Sequence, residues 1–262
     1  MNGYSLIDTH AHLSSPDELL RLEAILERAK KSHVQQIINI CTDPASLEAG
    51  FALEKRCPWI SNAGATTPHD VDFEGASAFE AFAQAARSHK LVAIGETGLD
   101  YYYKHSNPSA QKELLIRYLH LAIESKLPVI FHCRQAFDDL FAITDHYYPK
   151  AAPAILHCFT GTLSEARAVL ERGWMISFSG IITFKNSEPL RDVVRFAPLE
   201  SILIETDSPY LAPQSKRGQP NEPSFIVETA QCIADLKKQP LAEIARITTA
   251  NAQKIFVLVS SE

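Results

Sequence analysis

Short apolar runs and amphipathic stretches alternate along this chain of 262 residues, and that rhythm limits the fold more than any other feature. Eight runs read as strands. The first ends in Asp8-Thr9-His10-Ala11-His12; the others cover residues 36–40, 59–65, 91–94, 128–131, 154–156, 174–178 and 201–204. The stretches between them repeat apolar residues at helical spacing. Ser15-Pro16-Asp17-Glu18 reads as a helix start with a capping box, followed by Leu19, Leu22, Ile25, Leu26 and Ala29 on one face. Asp43-Pro44 opens a helix to residue 56. Further helices are expected through Phe79, Phe82 and Ala86, and over 111–125, 137–147, 165–171, 190–196, 226–236 and 241–256. Strands alternating with helices imply a parallel sheet with helical crossovers. Eight of them in a chain near the roughly 250 residues such a fold needs favour an α/β architecture, a single (β/α)8 TIM-type barrel forming one domain over residues 1–262. No GxGxxG follows the first strand, which removes a dinucleotide-binding reading.

Composition narrows the function classes. No apolar run approaches the roughly 20 residues of a membrane helix, and no basic segment followed by an apolar one marks a signal peptide. A cytoplasmic protein with no membrane association is therefore expected. The cysteines (Cys41, Cys57, Cys133, Cys158, Cys232) are odd in number and lack CxxC pairing, so they read as reduced thiols. A formal net charge of −6 argues against a broad basic surface that wraps duplex DNA, because phosphate neutralisation supplies most nonspecific affinity. It leaves room for a small pocket that takes a strand end, with metal ions supplying the positive charge. The longest irregular stretch, 208–223, is proline-rich and carries Lys216-Arg217-Gly218; loops of that length in compact domains are often functional.

Groups with metal-binding chemistry stand where the strands end. The first strand ends in His10 and His12, whose spacing puts both on one face; the fourth ends in Gly95-Glu96, the fifth in His132, the sixth in His157 and the eighth in Glu205-Thr206-Asp207. Each alone has an ordinary reading as a core histidine, a cap or a turn residue. Together they occupy equivalent positions of one repeating pattern, at the end of a barrel where enzymes place their chemistry. Four imidazoles and two carboxylates exceed the needs of one tetrahedral ion. They suit two divalent cations sharing Glu96 and a water acidified towards hydroxide, with Asp207 orienting that nucleophile and taking its proton. Nitrogen-rich ligation favours Zn, Mn or Co, with Mg also admissible. Cys133 and Cys158 each follow a histidine by one residue, so alternation predicts that both pack away from the site.

Five motifs carry a resemblance: Asp8-Thr9-His10-Ala11-His12, Gly95-Glu96-Thr97-Gly98-Leu99-Asp100-Tyr101, Phe131-His132-Cys133-Arg134, Leu156-His157-Cys158-Phe159-Thr160-Gly161 and Glu205-Thr206-Asp207-Ser208-Pro209-Tyr210-Leu211. In this order they resemble the TatD family of metal-dependent deoxyribonucleases, and Thr249-Ala250-Asn251-Ala252 looks like its closing helix. The resemblance implies an amidohydrolase-type barrel, two divalent cations, and hydrolysis of DNA phosphodiesters, in some members from a 3′ end. It implies that His10, His12 and Asp207 hold one ion, His132 and His157 the other, and that Glu96 touches both. His69, in Thr66-Thr67-Pro68-His69, matches a position near the substrate phosphate, and Glu205 matches another near-site carboxylate, expected to share Asp207's face if the strand persists that far. His69 and Arg134 would assist at the phosphate, and Tyr101-Tyr102-Tyr103-Lys104 would stack a terminal base and meet a phosphate. The expected partner is DNA, single-stranded or at a strand end. The same cation chemistry also attacks carbon, so a hydrolase of a small ester, lactone or amide, or of an aminoacyl-tRNA ester, is the alternative. A barrel that keeps metals only for stability is a further one.

Overall fold

A computed structural model describes residues 4–258, and in it eight strands form one parallel sheet in chain order. They are β1 (Leu6–Ala11), β2 (Val34–Cys41), β3 (Ile60–Gly64), β4 (Ala93–Asp100), β5 (Val129–Arg134), β6 (Ala154–Leu156), β7 (Met175–Phe178) and β8 (Ile202–Ile204). Helices α1 (Pro16–Leu19) and α2 (Leu22–Lys31) join β1 to β2. Then come α3 (Pro44–Arg56), α4 (Gly75–Arg87), α5 (Pro108–Ser125), α6 (Phe137–Tyr147), α7 (Leu163–Glu171) and α8 (Glu188–Phe196), one in each further crossover, and α9 (Ile226–Lys237) and α10 (Leu241–Phe256) come after β8. The sheet curls until β8 meets β1. The Asp207 N–H donates to the His10 carbonyl at 2.9 Å, the His12 N–H to the Ser208 carbonyl at 2.7 Å, and the Thr9 hydroxyl to the Ile204 carbonyl at 3.0 Å. This is the expected (β/α)8 barrel, nearly closed. Two of its closing bonds run through the backbone of His10, His12 and Asp207.

The core divides into two layers. One cluster contains Ile7, Ile38, Ile40, Ala63, Ala93, Ile130, Ile155 and Leu203, drawn from seven of the eight strands, with Ala252 and Phe256 of α10 against it. Residues from so many strands can touch one another only inside the cylinder, so this layer is the barrel's floor. The larger cluster lies between the sheet and its helices and includes Leu6, Ile37, Ile94, Phe131, Leu156, Ile176 and Ile204. Counting by twos from the floor residues Ile130 and Ile155 reaches His132 and His157. Plain alternation therefore aims those side chains into the barrel.

Two strands break that parity. Ile7 lies inside but Ala11 lies in the outer layer, and the β1–β2 register shifts between Asp8 and Ala11. Ala93 lies inside but Leu99 outside, and the β4–β5 register shifts between Ile94 and Thr97. An extra residue in each strand re-aims the side chains after it, as bulges beside active sites commonly do. His10 and Glu96 are the residues turned inwards. Beyond the second shift, β4 approaches β5 so closely that a Cβ on Gly98 would lie 1.9 Å from the His132 carbonyl oxygen, and its φ of +146° suits glycine alone.

The structure departs most from the sequence expectations at two elements. Strand four does not stop at residue 94; it runs to Asp100, because the glycines at 95 and 98 allow the close pairing with β5. The first helix is two pieces, with Leu19 and Leu20 exposed. Ser15 makes no side-chain cap, and the Glu18 carboxylate pairs with Arg21 instead of closing a capping box. Asp43 behaves as its sequence suggests, accepting from the Ala45 and Ser46 N–H groups at 2.8 and 2.9 Å.

Candidate metal centre

The side chains expected at the strand ends meet in one place. Glu96 Oε2 lies 2.9 Å from His10 Nε2, 3.2 Å from His157 Nε2 and 4.0 Å from His12 Nε2. Asp207 Oδ1 lies 3.5 Å from His12 Nε2 and 3.7 Å from His10 Nε2, and His132 Nδ1 lies 3.3 Å from His157 Nε2. Four overlapping donor sets result: His10, His12 and Glu96; His10, His157 and Asp207; Glu96, His132 and His157; and His69, Asp100 and His132. Glu96 belongs to two of them and joins the imidazoles of β1 to those at the ends of β5 and β6. The rings of His10 and His157 stack at 4.0 Å, nearly parallel.

Proton-mediated contacts leave this cluster incomplete. His10 is fully buried, yet neither ring nitrogen makes a hydrogen bond; its Nε2 is close to Glu96 but off the hydrogen-bonding direction. His157 Nδ1 is likewise without a hydrogen bond. Buried polar atoms are seldom left in this state. A buried carboxylate oxygen ringed by imidazoles, two of whose rings carry nitrogens without a hydrogen bond, is a donor set for divalent cations, so the residues present fit such ions.

Electrostatics gives the same picture. Burial alone raises the Glu96 pKa, but the imidazoles of His157, His10 and His132 hold the carboxyl well below the usual carboxylate range. Asp207 is likewise raised by burial but brought below its ordinary value by His12, His10 and His157. Burial lowers His10, with His157 adding to the effect. Burial also lowers His157, but Glu96, Glu205 and Asp207 outweigh it and lift its pKa to about 9. Asp207 adopts φ +58°, a left-handed conformation that disfavours most side chains and that costs of order 1–3 kcal/mol. The fold accepts that strain while aiming the carboxylate at the imidazoles.

Supporting groups hold the donors in place. Asp100 Oδ2 accepts from His132 Nε2 at 2.8 Å, which leaves Nδ1 facing His157. The other Asp100 oxygen accepts from the Tyr102 and Tyr103 N–H groups. Burial raises Asp100, but its bond to His132 and the Tyr103 amide bring it down to about 2. Asp8, buried and pushed up to about 7 by that burial, accepts from the Thr206 N–H and hydroxyl and ties β1 to the residue before Asp207. Sequence reasoning passed over both aspartates, although each stands within one of the five motifs. Asp100 was missed because the fourth strand was ended six residues too early.

Other expected residues lie elsewhere than on the metal donors. β8 ends at Ile204, so Glu205 does not follow strand alternation to Asp207's side. It is fully buried and accepts from the Cys158 N–H at 2.6 Å and from the Ser177 hydroxyl, with Oε1 3.4 Å from His157 Nδ1. His69 stands at the wall, its Nε2 3.7 Å from Asp100 and its ring 5.1 Å from that of His132. Cys133 packs into the outer layer as expected, although its edge also reaches the cavity. Cys158 does not pack away: β6 ends before it, it adopts φ +42°, and it lines the cavity with Sγ 3.2 Å from the Ser179 hydroxyl. Burial, with Asp207 and Glu205 nearby, raises its pKa well above the ordinary thiol value, so it stays protonated and is no nucleophile. The cavity above the donors measures about 860 Å³; His12, Glu96, His132, His157 and Asp207 form its base, and His69, Tyr103, His105, Arg134, Phe184 and Tyr210 are among its walls. Among the described residues no helix is long and apolar enough to cross a membrane.

Comparisons with known proteins cover nearly the whole chain. A family model described as TatD related DNase matches residues 7–257. An uncharacterized metal-dependent hydrolase of Bacillus subtilis (strain 168) is 37% identical over 251 residues, spanning 96% of this chain and 98% of that protein. A 3′-5′ ssDNA/RNA exonuclease TatD of Citrobacter rodentium is 32% identical over 256 residues, spanning 96% and 97%. The crystal structure of a TatD homologue from Escherichia coli K12 superimposes with a TM-score of 0.91 at 30% identity, covering 97% of this chain and 98% of that one.

Proposed function

Because the chain belongs to the TatD-related DNase family, we propose that it is a metal-dependent nuclease that hydrolyses phosphodiester bonds of single-stranded DNA near a strand end. The observation that carries this reading is the single buried oxygen of Glu96 within 4.0 Å of imidazole nitrogens from His10, His12 and His157, beneath an open cavity. Relatives named as a metal-dependent hydrolase and as a single-strand exonuclease support it. They lend nothing to the small-ester, lactone or amide alternative.

Two divalent cations (Zn, Mn, Mg or Co) would be held by His10, His12, Glu96, His132, His157 and Asp207, with Glu96 shared. When bound, they supply charge neutralisation at the phosphate and make water at the site a stronger acid. The protein's own groups do the rest. Asp207, kept ionised by its histidine neighbours, accepts the proton of the attacking water. Glu96, also ionised, sets the spacing of the donors on either side of it. Asp100 fixes the tautomer of His132 by accepting a hydrogen bond from its Nε2–H, and Glu205 stands 3.4 Å from His157 Nδ1. His69, its pKa lowered by burial beside His132, is neutral near pH 7 and offers a ring N–H to a non-bridging phosphate oxygen. The whole chain serves as one catalytic domain, and its five unpaired cysteines support a reducing, cytoplasmic setting.

The test is a 5′-labelled single-stranded oligonucleotide incubated with protein loaded with each of the four cations, with and without chelator, beside elemental analysis of the purified protein. A chelator-sensitive ladder of shortened products, with two metal equivalents per chain, is expected. Turnover of a lactone or cyclic amide with an intact oligonucleotide would overturn the reading.

A further inference from the structure

We propose that Arg134 forms a rim site for a phosphate that flanks the scissile one, the non-reacting phosphodiester of a neighbouring nucleotide. This rests on the nuclease reading and concerns how the cavity grips a strand beyond the bond that is cut.

Arg134 stands two residues beyond His132 on β5 and shares its face, about 6.6 Å further towards the mouth along the strand. Its guanidinium lies over the ring of Tyr102, 4.0 Å from the centroid, and over Tyr103 at 4.7 Å. The two rings meet edge to face at 4.9 Å, and both stand half exposed on the loop after β4. Stacking holds a planar cation through its faces and leaves its N–H edge available. The nearby carboxylates have other partners: Asp100 takes His132 and two backbone amides, and Asp139 takes Lys112 and the Tyr101 hydroxyl. Among the described residues Arg134 has no ion pair. A cation that is positioned, unpaired and set in a cavity wall is a site for an anion.

The rings of His69 and His105 each stand 5.5 Å from Tyr103, and Lys104 is exposed between Tyr103 and His105. In a chain of net charge −6, Arg134 and Lys104 put two cations near one side of this mouth, where Asp70 also lines the cavity. Ile181, Phe184, Tyr210 and Leu211 line the other side; Arg217 stacks on Phe184 at 4.6 Å but is not part of the lining. The tyrosines hold the guanidinium at the rim, one layer above the metal donors. The phosphate it meets is therefore a neighbour of the reacting one, and the tyrosines expected to stack a base serve first to seat this arginine.

The experiment places one uncharged methylphosphonate linkage beside the scissile phosphodiester of a single-stranded oligonucleotide, on either side in turn. The first cleavage is compared with that of the all-phosphodiester strand. Wild-type protein is expected to lose at least about tenfold in kcat/KM from one of these replacements, mainly through KM, the scale of one charge-assisted contact. Arg134→Met should lose less than about twofold from the same replacement, Arg134→Lys an intermediate amount, and Arg217→Met as much as wild type. No penalty in wild type, or an undiminished penalty in Arg134→Met, overturns the proposal. So does an equal loss by Arg134→Met on the oligonucleotide and on bis(p-nitrophenyl) phosphate, which has no neighbouring phosphate; that result would place the arginine at the reacting group. If metal-loaded wild type cuts bis(p-nitrophenyl) phosphate but no oligonucleotide, the nuclease reading falls and takes the rim site with it. Circular dichroism and metal content of each variant separate misfolding from lost recognition.

Discussion

The floor and the mouth of this barrel are built from the same strands and have opposite chemistry. At the floor Ile7, Ile38, Ile130, Ile155 and Leu203 meet with no polar side chain among them, sealed by Ala252 and Phe256 of α10. One or two turns of the pleat higher, His10, Glu96, His132, His157 and Asp207 crowd together with several ring nitrogens left without hydrogen bonds. The difference shows how the two demands on such a fold are separated. Dispersion and apolar burial at the floor hold the cylinder together, so the mouth can carry unsatisfied and strained groups that by themselves would oppose folding.

If that separation is real, the two layers should respond differently to substitution. The largest effect is expected at the mouth: Asp207→Asn should lower kcat on an oligonucleotide by roughly 10²–10⁴, the range for a lost general base, while the melting temperature of the metal-free protein falls only modestly, because the carboxylate loses its favourable contacts with His12, His10 and His157 but no packed volume is removed. A large fall in that melting temperature would show that the mouth also bears the fold. At the floor, Ile155→Ala should cost about 2–5 kcal/mol, or roughly 5–15 °C in melting temperature for a domain of this size, with unchanged metal content per folded chain. Loss of metal at unchanged stability would reverse the roles.

Proton competition sharpens the comparison further. His157 in the metal-free protein has its pKa raised from 6.5 to about 9 by the surrounding carboxylates, against the effect of burial. A cation must displace that proton, so metal affinity measured by titration calorimetry should rise about tenfold per pH unit from neutrality to about pH 9 and then level off. The metal-free fold takes the opposite course. A raised folded-state pKa stabilises fully below pH 6.5, and that contribution is lost as pH climbs through about 9. Metal affinity that is flat across this interval would mean that His157 is already neutral. The smallest effect is expected one layer behind the donors. Asp100→Asn should weaken metal binding or activity by roughly 10–100-fold, through a His132 ring free to adopt the wrong tautomer, without changing the number of ions held. An unchanged affinity would reduce Asp100 to a cap for the Tyr102 and Tyr103 amides.

Much of this was legible in the chain before any coordinates. The eight apolar runs, separated by helical spacing, predicted a barrel because each strand must be covered on its outer face and eight such units close without an edge. His132 lies two residues beyond Ile130 and His157 two beyond Ile155, so alternation alone aimed them at the cavity. Asp43 marked its helix start because its carboxylate meets two amides whatever the tertiary setting.

What the sequence by itself determined is local: period, turn chemistry, and which strand ends carry donors. Tertiary structure decided the rest, because register between neighbouring strands is a property of pairs and cannot be read from either strand alone. The shifts beside His10 and Glu96 reverse the parity of β1 and β4, and without them both donors would face the helices. The end of β8 at Ile204 separates Glu205 from Asp207 in role, and the end of β6 turns Cys158 to the cavity. Arg134 shows the same division. The chain placed an arginine two residues after a histidine, but only folding brought Tyr102 and Tyr103 under it and, among the described residues, left it without an ion pair.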